Sequence, residues 1–371
     1  MLLSTLAVVV TFGMVIFLHE AGHFFVCRRL GVRVERFAFG FGPELIGVTS
    51  SGTRFSICAV PLGGYVKPAG ESLEDHTGHP DEYFSRSPWE RLLIVAAGPA
   101  MNYVLAFLMF FSVAFIGGIP EPSSKAVIGD LASGWPAAAA GLQAGDQVTR
   151  VDTMPIASWR EMADYVYRHA GKPVVFTYLR GGKTLQATIT PRLDAASGHG
   201  LIGIAPEMDR RKVGVLGAAS DAVDRCWFWT AYTVKTLAEK IYHHERPDLA
   251  GPVGIVQMVS KAAHSGLEDL VFLIGLISVA IGFFNILPIP LLDGGHAVLY
   301  LWEGLSGRKL TVKIVSAANS VGLALLLSLL AFATYNDVQR IRSGRKAARE
   351  AAAEAATQPS STHTVHAPAK P

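Results

Sequence analysis

Two histidines four residues apart, with a glutamate directly after the first, stand at His19-Glu20-Ala21-Gly22-His23. Residues four apart on a helix share a face, so both imidazoles can meet one metal ion. Neutral imidazole suits zinc. Glu20 lies about a third of a turn round the helix, where it reaches a metal-activated water rather than the metal. A glutamate so placed takes the water's proton as it attacks a carbonyl. A catalytic zinc asks for a third protein ligand and an open fourth position. The candidate is Asp293, in Leu292-Asp293-Gly294-Gly295-His296. The glycines let backbone approach closely. Asp293 also reads as a helix cap. His296 is a rival ligand, ranked behind Asp293 as a supporting residue or cap.

These residues sit in an apolar chain. Half of the 371 residues are hydrophobic and 17% are charged, against about 25% in soluble domains. This composition points to a polytopic membrane protein. The net charge of +3 and the lack of a basic tract argue against nucleic acid as a partner. Cys27, Cys58 and Cys226 are far apart and form no CxxC pair. They imply neither a disulfide framework nor a cysteine metal site.

Residues 1–18 are nearly free of polar side chains and run straight into His19, so the metal motif continues a spanning helix. Ionisable groups there cost several kcal/mol each unless they find a partner, and a bound cation is one. A signal peptide is the other reading of this run, but no basic segment precedes it and no small-residue cleavage site follows. Further spans are predicted at residues 92–119, 270–287 and 312–335, four in all. Eight Lys and Arg between the first two spans place that loop in the cytoplasm and the N-terminus outside. Residues 120–268 and the C-terminus then lie outside. The basic run from Arg340 to Arg349 opposes the last assignment.

Between the second and third spans the pattern changes. Short β-rich runs at 125–128, 147–151, 174–179 and 184–189 flank one helical pattern at 159–169. Gly181-Gly182 reads as a hairpin turn. The expected organisation has five parts. They are a membrane half (1–119), a small α+β domain (120–207), amphipathic interfacial helices (208–265), a second membrane half (266–340) and a disordered tail (341–371). Trp227, Phe228, Trp229 and Tyr232 suit a membrane interface. The tail's Ala, Pro, Ser and Thr suit disorder.

Taken together, four stretches resemble the site-2 protease family, in its bacterial RIP metalloprotease branch. They are Phe17 to Phe24 around the metal motif, and Gly40-Phe41-Gly42-Pro43 with Val60-Pro61-Leu62-Gly63-Gly64-Tyr65-Val66-Lys67 and Gly70-Glu71. The others are Ala97-Gly98-Pro99-Ala100-Met101-Asn102 and Asn285-Ile286-Leu287-Pro288-Ile289-Pro290-Leu291-Leu292-Asp293-Gly294-Gly295. The resemblance implies His19, His23 and Asp293 as zinc ligands and Glu20 as base. It assigns Asn285, Pro288 and Pro290 to holding substrate backbone. It also implies a membrane-associated β-hairpin over residues 55–67, turning at Gly63-Gly64, whose strand edge would take up an unwound substrate. Residues 135–146 and 200–204 resemble a circularly permuted PDZ-like domain, one where the family often has two. Its groove would bind a peptide or act as a steric filter.

The implied fold is therefore an α-helical polytopic membrane protein of about four transmembrane helices, with that hairpin and an inserted α+β PDZ-like domain. The implied activity is zinc-dependent cleavage within a single-pass membrane protein, such as an anti-sigma factor already cut outside. The bilayer concerned is the bacterial inner membrane, with the PDZ-like domain periplasmic and the active site near the cytoplasmic side. Clearance of remnant signal peptides uses the same chemistry. A non-catalytic PDZ membrane adaptor is the rival of another class, disfavoured by Glu20, for which a structural metal has no use.

Overall fold

The computed structural model describes residues 1–194, 197–243 and 251–357, with side chains through 343 apart from Leu62. The chain divides into two compact units, Met1–Phe111 with Ala222–Pro371, and Ser112–Asp221.

The first unit begins with α1 (Leu2–Arg29), an unbroken apolar run without proline that stops at Arg28 and Arg29. Two long strands follow, β1 (Val34–Ser50) and β2 (Thr53–Pro68). Their turn is at Ser51-Gly52, both with positive φ. The turn expected at Gly63-Gly64 is thus misplaced, because those glycines lie within β2. Their role is close approach. A Cβ on Gly64 would stand 2.7 Å from the Ala38 carbonyl oxygen, and one on Gly63 would strike the Phe41 ring. Residues 37–39 pair with 64–66 on one side and with 55–57 on the other, while 55 and 56 also pair with 48 and 47. The ribbon is therefore doubled back, and residues 44–50 and 64–68 form its edges. Phe41, Leu45, Ile46, Val48, Ile57 and Val60 are exposed on it. Helix α2 (Pro88–Ser112) follows and ends in a π turn, Val113–Gly117.

The second unit contains β3 (Ile119–Pro122), β4 (Ile128–Leu131), α3 (Pro136–Ala139), β5 (Gln147–Val151) and β6 (Met154–Pro155). It goes on with α4 (Trp159–Arg168), β7 (Val174–Arg180), β8 (Lys183–Ile189), β9 (Arg192–Leu193), β10 (Gly200–Leu201), β11 (Ile204–Pro206) and β12 (Met208–Arg211). The strands expected at 147–151, 174–179 and 184–189, the helix and the 181–182 turn all appear, whereas the run expected at 125–128 gives only a bridge from Val127 to Gln147 and the first residue of β4. Strands β6-β5-β7-β8 form one sheet, and β11 pairs with β4. Ser158 caps α4 by accepting from the Glu161 amide at 3.3 Å. Phe176, Ile128, Met162 and Ile189 fill the core almost without exposure. Each such burial is worth about 1.5–3 kcal/mol. Asp146, fully buried, is held by Arg180 Nη2 at 2.7 Å.

Helices α5 (Val215–Tyr242), α6 (Pro252–Ser265), α7 (Leu267–Ile286), α8 (Asp293–Ser306) and α9 (Val312–Thr357) complete the chain. Among the described residues, four helices are long and apolar enough to cross a membrane: Leu2–Arg29, Pro88–Gly117, Leu267–Ile286 and Val312–Ser343. Ala7, Val15, Leu105, Val259, Ile274 and Ile277 form one core where α1, α2, α6 and α7 meet. Asp337 on α9, almost fully buried, accepts from the amides of Gly251 and Gly254 at 3.2 and 2.8 Å, capping α6. The tail expected to be disordered from 341 is helical through 357. Its Ala, Glu, Arg and Lys are strong helix formers, which outweigh low hydrophobicity. Residues 358–371 lie outside the described set.

Candidate metal centre

His19 and His23 project from one face of α1 onto α2. The two helices touch closely because the facing residues are glycines. A Cβ on Gly22 would stand 2.3 Å from the Ala97 carbonyl oxygen. A Cβ on Gly98 would stand 2.3 Å from His23 Nε2 and 2.8 Å from His19 Cε1. The imidazoles thus occupy the space that a glycine leaves open.

Asp293 comes from the first residue of α8 and makes no cap bond there, so the helix-cap reading fails. It is carried to α1 by a tightly folded segment. Leu291 takes a positive φ of 76°. Gly294 lies where a Cβ would meet the Ile286 and Leu287 carbonyl oxygens at 2.2 Å. His19 Nε2 is 3.1 Å from Asp293 Oδ2, His23 Nε2 is 3.6 Å from Oδ1, and the two Nε2 atoms are 3.2 Å apart. A tetrahedral zinc with bonds of about 2.0–2.1 Å spaces its ligand atoms about 3.3–3.4 Å apart. The three residues are also the group, among the described residues, whose ligand atoms gather within 4.8 Å. Asp293 Oδ2 is buried without a hydrogen bond despite the nearby imidazole. Lone pairs turned on one another in this way suit a cation between them. His296 is not in the group; it stacks on Tyr300, with ring centroids 6.2 Å apart.

The remaining imidazole nitrogens face the protein. His23 Nδ1 lies 2.8 Å from the Ile94 carbonyl oxygen, and His19 Nδ1 lies 3.2 Å from Asn102 Nδ2. Glu20 turns to the ribbon, and its Oε2 accepts from the Val66 amide at 3.1 Å. That amide belongs to the edge segment 64–68, so the base and a strand edge are neighbours. Gly64 is close as well: a Cβ there would lie 3.8 Å from Glu20 Cγ.

His19, Glu20, His23 and Asp293 line a cavity of about 1340 Å³, with Asn285, residues 65–68 and Glu71 also on its wall. The Glu71 carboxyl stands on that wall, on a residue that is exposed overall, and local desolvation, then the Glu20 charge, pushes it up to about 7. Pro288 and Pro290 line an adjoining recess of about 110 Å³ with His296 and Asn319. Gly63 lines neither. Sequence reasoning quoted Asn102 without a role and passed over Ser316, Asn319 and Ser320, which give an apolar span a polar stripe on the cavity wall. Their three- and four-residue spacing was the available signal.

A profile described as Peptidase family M50 matches residues 7–329. A Caulobacter vibrioides protein named Metalloprotease MmpA is 33% identical over 390 residues, covering 91% of this chain and 94% of that one. A Geobacillus kaustophilus protein named Zinc metalloprotease RasP is 28% identical over 417 residues, covering 91% and 98%. Among solved structures, the PDZ domain of an SdrC-like protein from Listeria monocytogenes is similar at 29% identity, covering 24% of this chain and 93% of that one, with a TM-score of 0.21.

Proposed function

The chain belongs to peptidase family M50 and is a multi-pass membrane zinc metalloendopeptidase, and from that premise we propose that it cleaves transmembrane segments of single-pass membrane proteins. His19, His23 and Asp293 hold the zinc in this reading, and Glu20 is the base. The observation that carries it is the meeting of the three ligand side chains, at 3.1–3.6 Å, beside Glu20 and a strand edge.

Zinc in this place supplies Lewis acidity, which brings a water within reach of deprotonation near neutral pH. The protein does the rest. A spanning helix hides its peptide groups, so it must unwind before it can be cut. Segment 64–68 offers its edge to the unwound backbone by β-augmentation, next to the base. Glu20 takes the proton of the attacking water and passes it to the leaving amine. Asn285, on the same wall, is placed to hold a substrate carbonyl, with the Pro288 and Pro290 segment shaping the adjoining recess.

The substrate class we infer is a membrane protein of the anti-sigma type that has already lost its outer domain, or a remnant signal peptide. The membrane is the bacterial inner membrane, with the inserted α+β unit on the periplasmic side as a PDZ-like domain. Glu20→Gln keeps the ligands and removes the base, so we expect it to bind zinc as the native chain does. Its cleavage of a purified single-span substrate should fall by about a hundredfold or more. Undiminished cleavage by that variant would reject the mechanism.

A further inference from the structure

Asn102 has no assigned role, yet its side chain is fully buried against His19. It sits where α2 meets both α1 and α7. Its backbone carbonyl accepts from Ser278 Oγ at 2.9 Å, and Gly282 lies so near that a Cβ there would be 3.2 Å from Asn102 Cβ. A large residue has no room to turn in that niche. An amide, flat and nearly symmetric, can rotate by about 180° without changing its outline.

The orientation of that amide decides which nitrogen of His19 is free. With Nδ2 toward His19 Nδ1, 3.2 Å away, Nδ1 must accept and Nε2 must carry the ring proton of a neutral imidazole. Nε2 is the atom that faces His23 and Asp293, so a proton there would block the metal. With Nε2 on the metal, Nδ1 carries the proton and needs an acceptor. The turned amide supplies one, Oδ1, the atom that otherwise has no hydrogen-bond partner. One amide heteroatom goes unpartnered in either orientation, so the turn costs no hydrogen bond. His23 shows the same logic in fixed form. Its Nδ1 lies 2.8 Å from the Ile94 carbonyl oxygen, which can only accept.

We propose that Asn102 is a positioning residue that accepts a hydrogen bond from His19 Nδ1–H and thereby fixes His19 as an Nε2 ligand of zinc. The inference rests on the ligand assignment made above. It gives the Gly98-to-Asn102 stretch one purpose, since Gly98 makes room for the two rings and Asn102 orients one of them. Outer partners of metal-bound histidines hold ring and tautomer in this way, and losing one weakens metal affinity by about 10–100-fold.

The test is zinc affinity of the full chain in detergent, by competition with a chromophoric chelator, without reference to proteolysis. Asn102→Ala removes the acceptor, and we expect about 10–100-fold weaker binding. Asn102→Asp keeps the shape and can only accept, so it should hold zinc within about threefold of the native chain or more tightly. With cobalt in place of zinc, the visible spectrum of Asn102→Asp should match the native one and that of Asn102→Ala should shift. Native-like affinity in Asn102→Ala would overturn the proposal, as would an Asn102→Asp variant that binds more than about tenfold more weakly than the native chain. Should Asn102→Ala fail to fold, the near-isosteric Asn102→Asp decides alone, on the same affinity. His23→Ala separates the two levels. Lost zinc there with native affinity in Asn102→Ala sinks only this inference, whereas retained zinc in His23→Ala removes the ligand assignment and this inference with it.

Discussion

Gly98 faces both histidines across the contact of α1 with α2, and only a hydrogen atom fits between. The methyl of Gly98→Ala would stand 2.3 Å from His23 Nε2 and 2.5 Å from its Cε1. Neither ring can swing aside freely, because His23 is tied to the Ile94 carbonyl and His19 lies against Asn102. Either the rings or the helices must shift by several tenths of an ångström, which a metal site with narrow bond lengths does not absorb. We expect Gly98→Ala to bind zinc at least about tenfold more weakly by chelator competition. Native affinity would show that the helix contact is softer than its geometry implies. This also marks what was legible at the residue scale. His19, Glu20 and His23 could be read because their relation is local, fixed by helical spacing. Asp293 stood out as an acid beside an apolar segment flanked by glycines. The roles of Gly98 and Asn102 could not be read, because they exist only across a helix-to-helix contact between residues about 80 positions apart in the chain.

Helix α8 carries Asp293 at its start and is tied down near its end. Arg91 of α2, almost wholly buried, reaches Glu303 with Nη2 to Oε1 at 2.9 Å. Its guanidinium lies between the rings of Tyr300 and Phe84, 4.7 and 5.0 Å from their centroids. Tyr83 Oη donates to Tyr300 Oη at 3.2 Å, so the loop before α2 joins the same clasp. Removing one partner of a buried ion pair strands the other charge, at about 3–5 kcal/mol. We therefore expect Glu303→Leu to lower unfolding free energy by about that much and to loosen zinc with it. Arg91→Met joined to Glu303→Leu should recover most of the stability, since Arg91 Nη1 and Glu303 Oε2 already lack partners. Equal stability of Glu303→Leu and the native chain in denaturant titration would dismiss the clasp. The elements themselves were mostly legible, since long apolar runs and period-two alternation are strong local signals. The ribbon turn was not. Gly63-Gly64 is a good turn signal on its own, but the doubled ribbon uses it for clearance and turns at Ser51-Gly52 instead. The helix through 357 was missed because a low-hydrophobicity stretch was weighed by composition rather than by propensity.

The whole molecule is a membrane unit interrupted by a second folded unit, and the manner of the interruption can be read from one ladder. Strands β3 and β12 pair antiparallel, with Ile119 opposite Arg211 and Pro122 opposite Met208. The chain thus enters and leaves the α+β unit side by side, and antiparallel partners lie only about 4.5–5.5 Å apart at Cα. Arg211 Nε also pairs with Glu121 Oε1 at 2.7 Å across this entrance. The core of the unit, built on Phe176, Ile128 and Met162, draws all its residues from within residues 126–204. The metal ligands, the base and the cavity wall all come from the other unit. Alternation of β runs and turns marked this stretch of the sequence as β-rich; the closeness of its two ends could not be read, because it depends on a pairing about 90 residues apart. A short loop can therefore replace the unit without pulling on the membrane helices. We expect a chain in which residues 123–207 give way to about four Gly and Ser residues to hold zinc at native affinity. It should still cleave a single-span substrate that lacks an outer domain. If the unit serves as a filter, the shortened chain should also cut substrates that keep a folded outer domain, and the native chain should not. If it serves as a peptide-binding anchor, cleavage of the short substrate should instead show a raised KM with kcat preserved, since only ground-state binding has been removed. Loss of zinc on shortening would contradict the separateness of the two cores and with it the view of the α+β unit as an independent insertion.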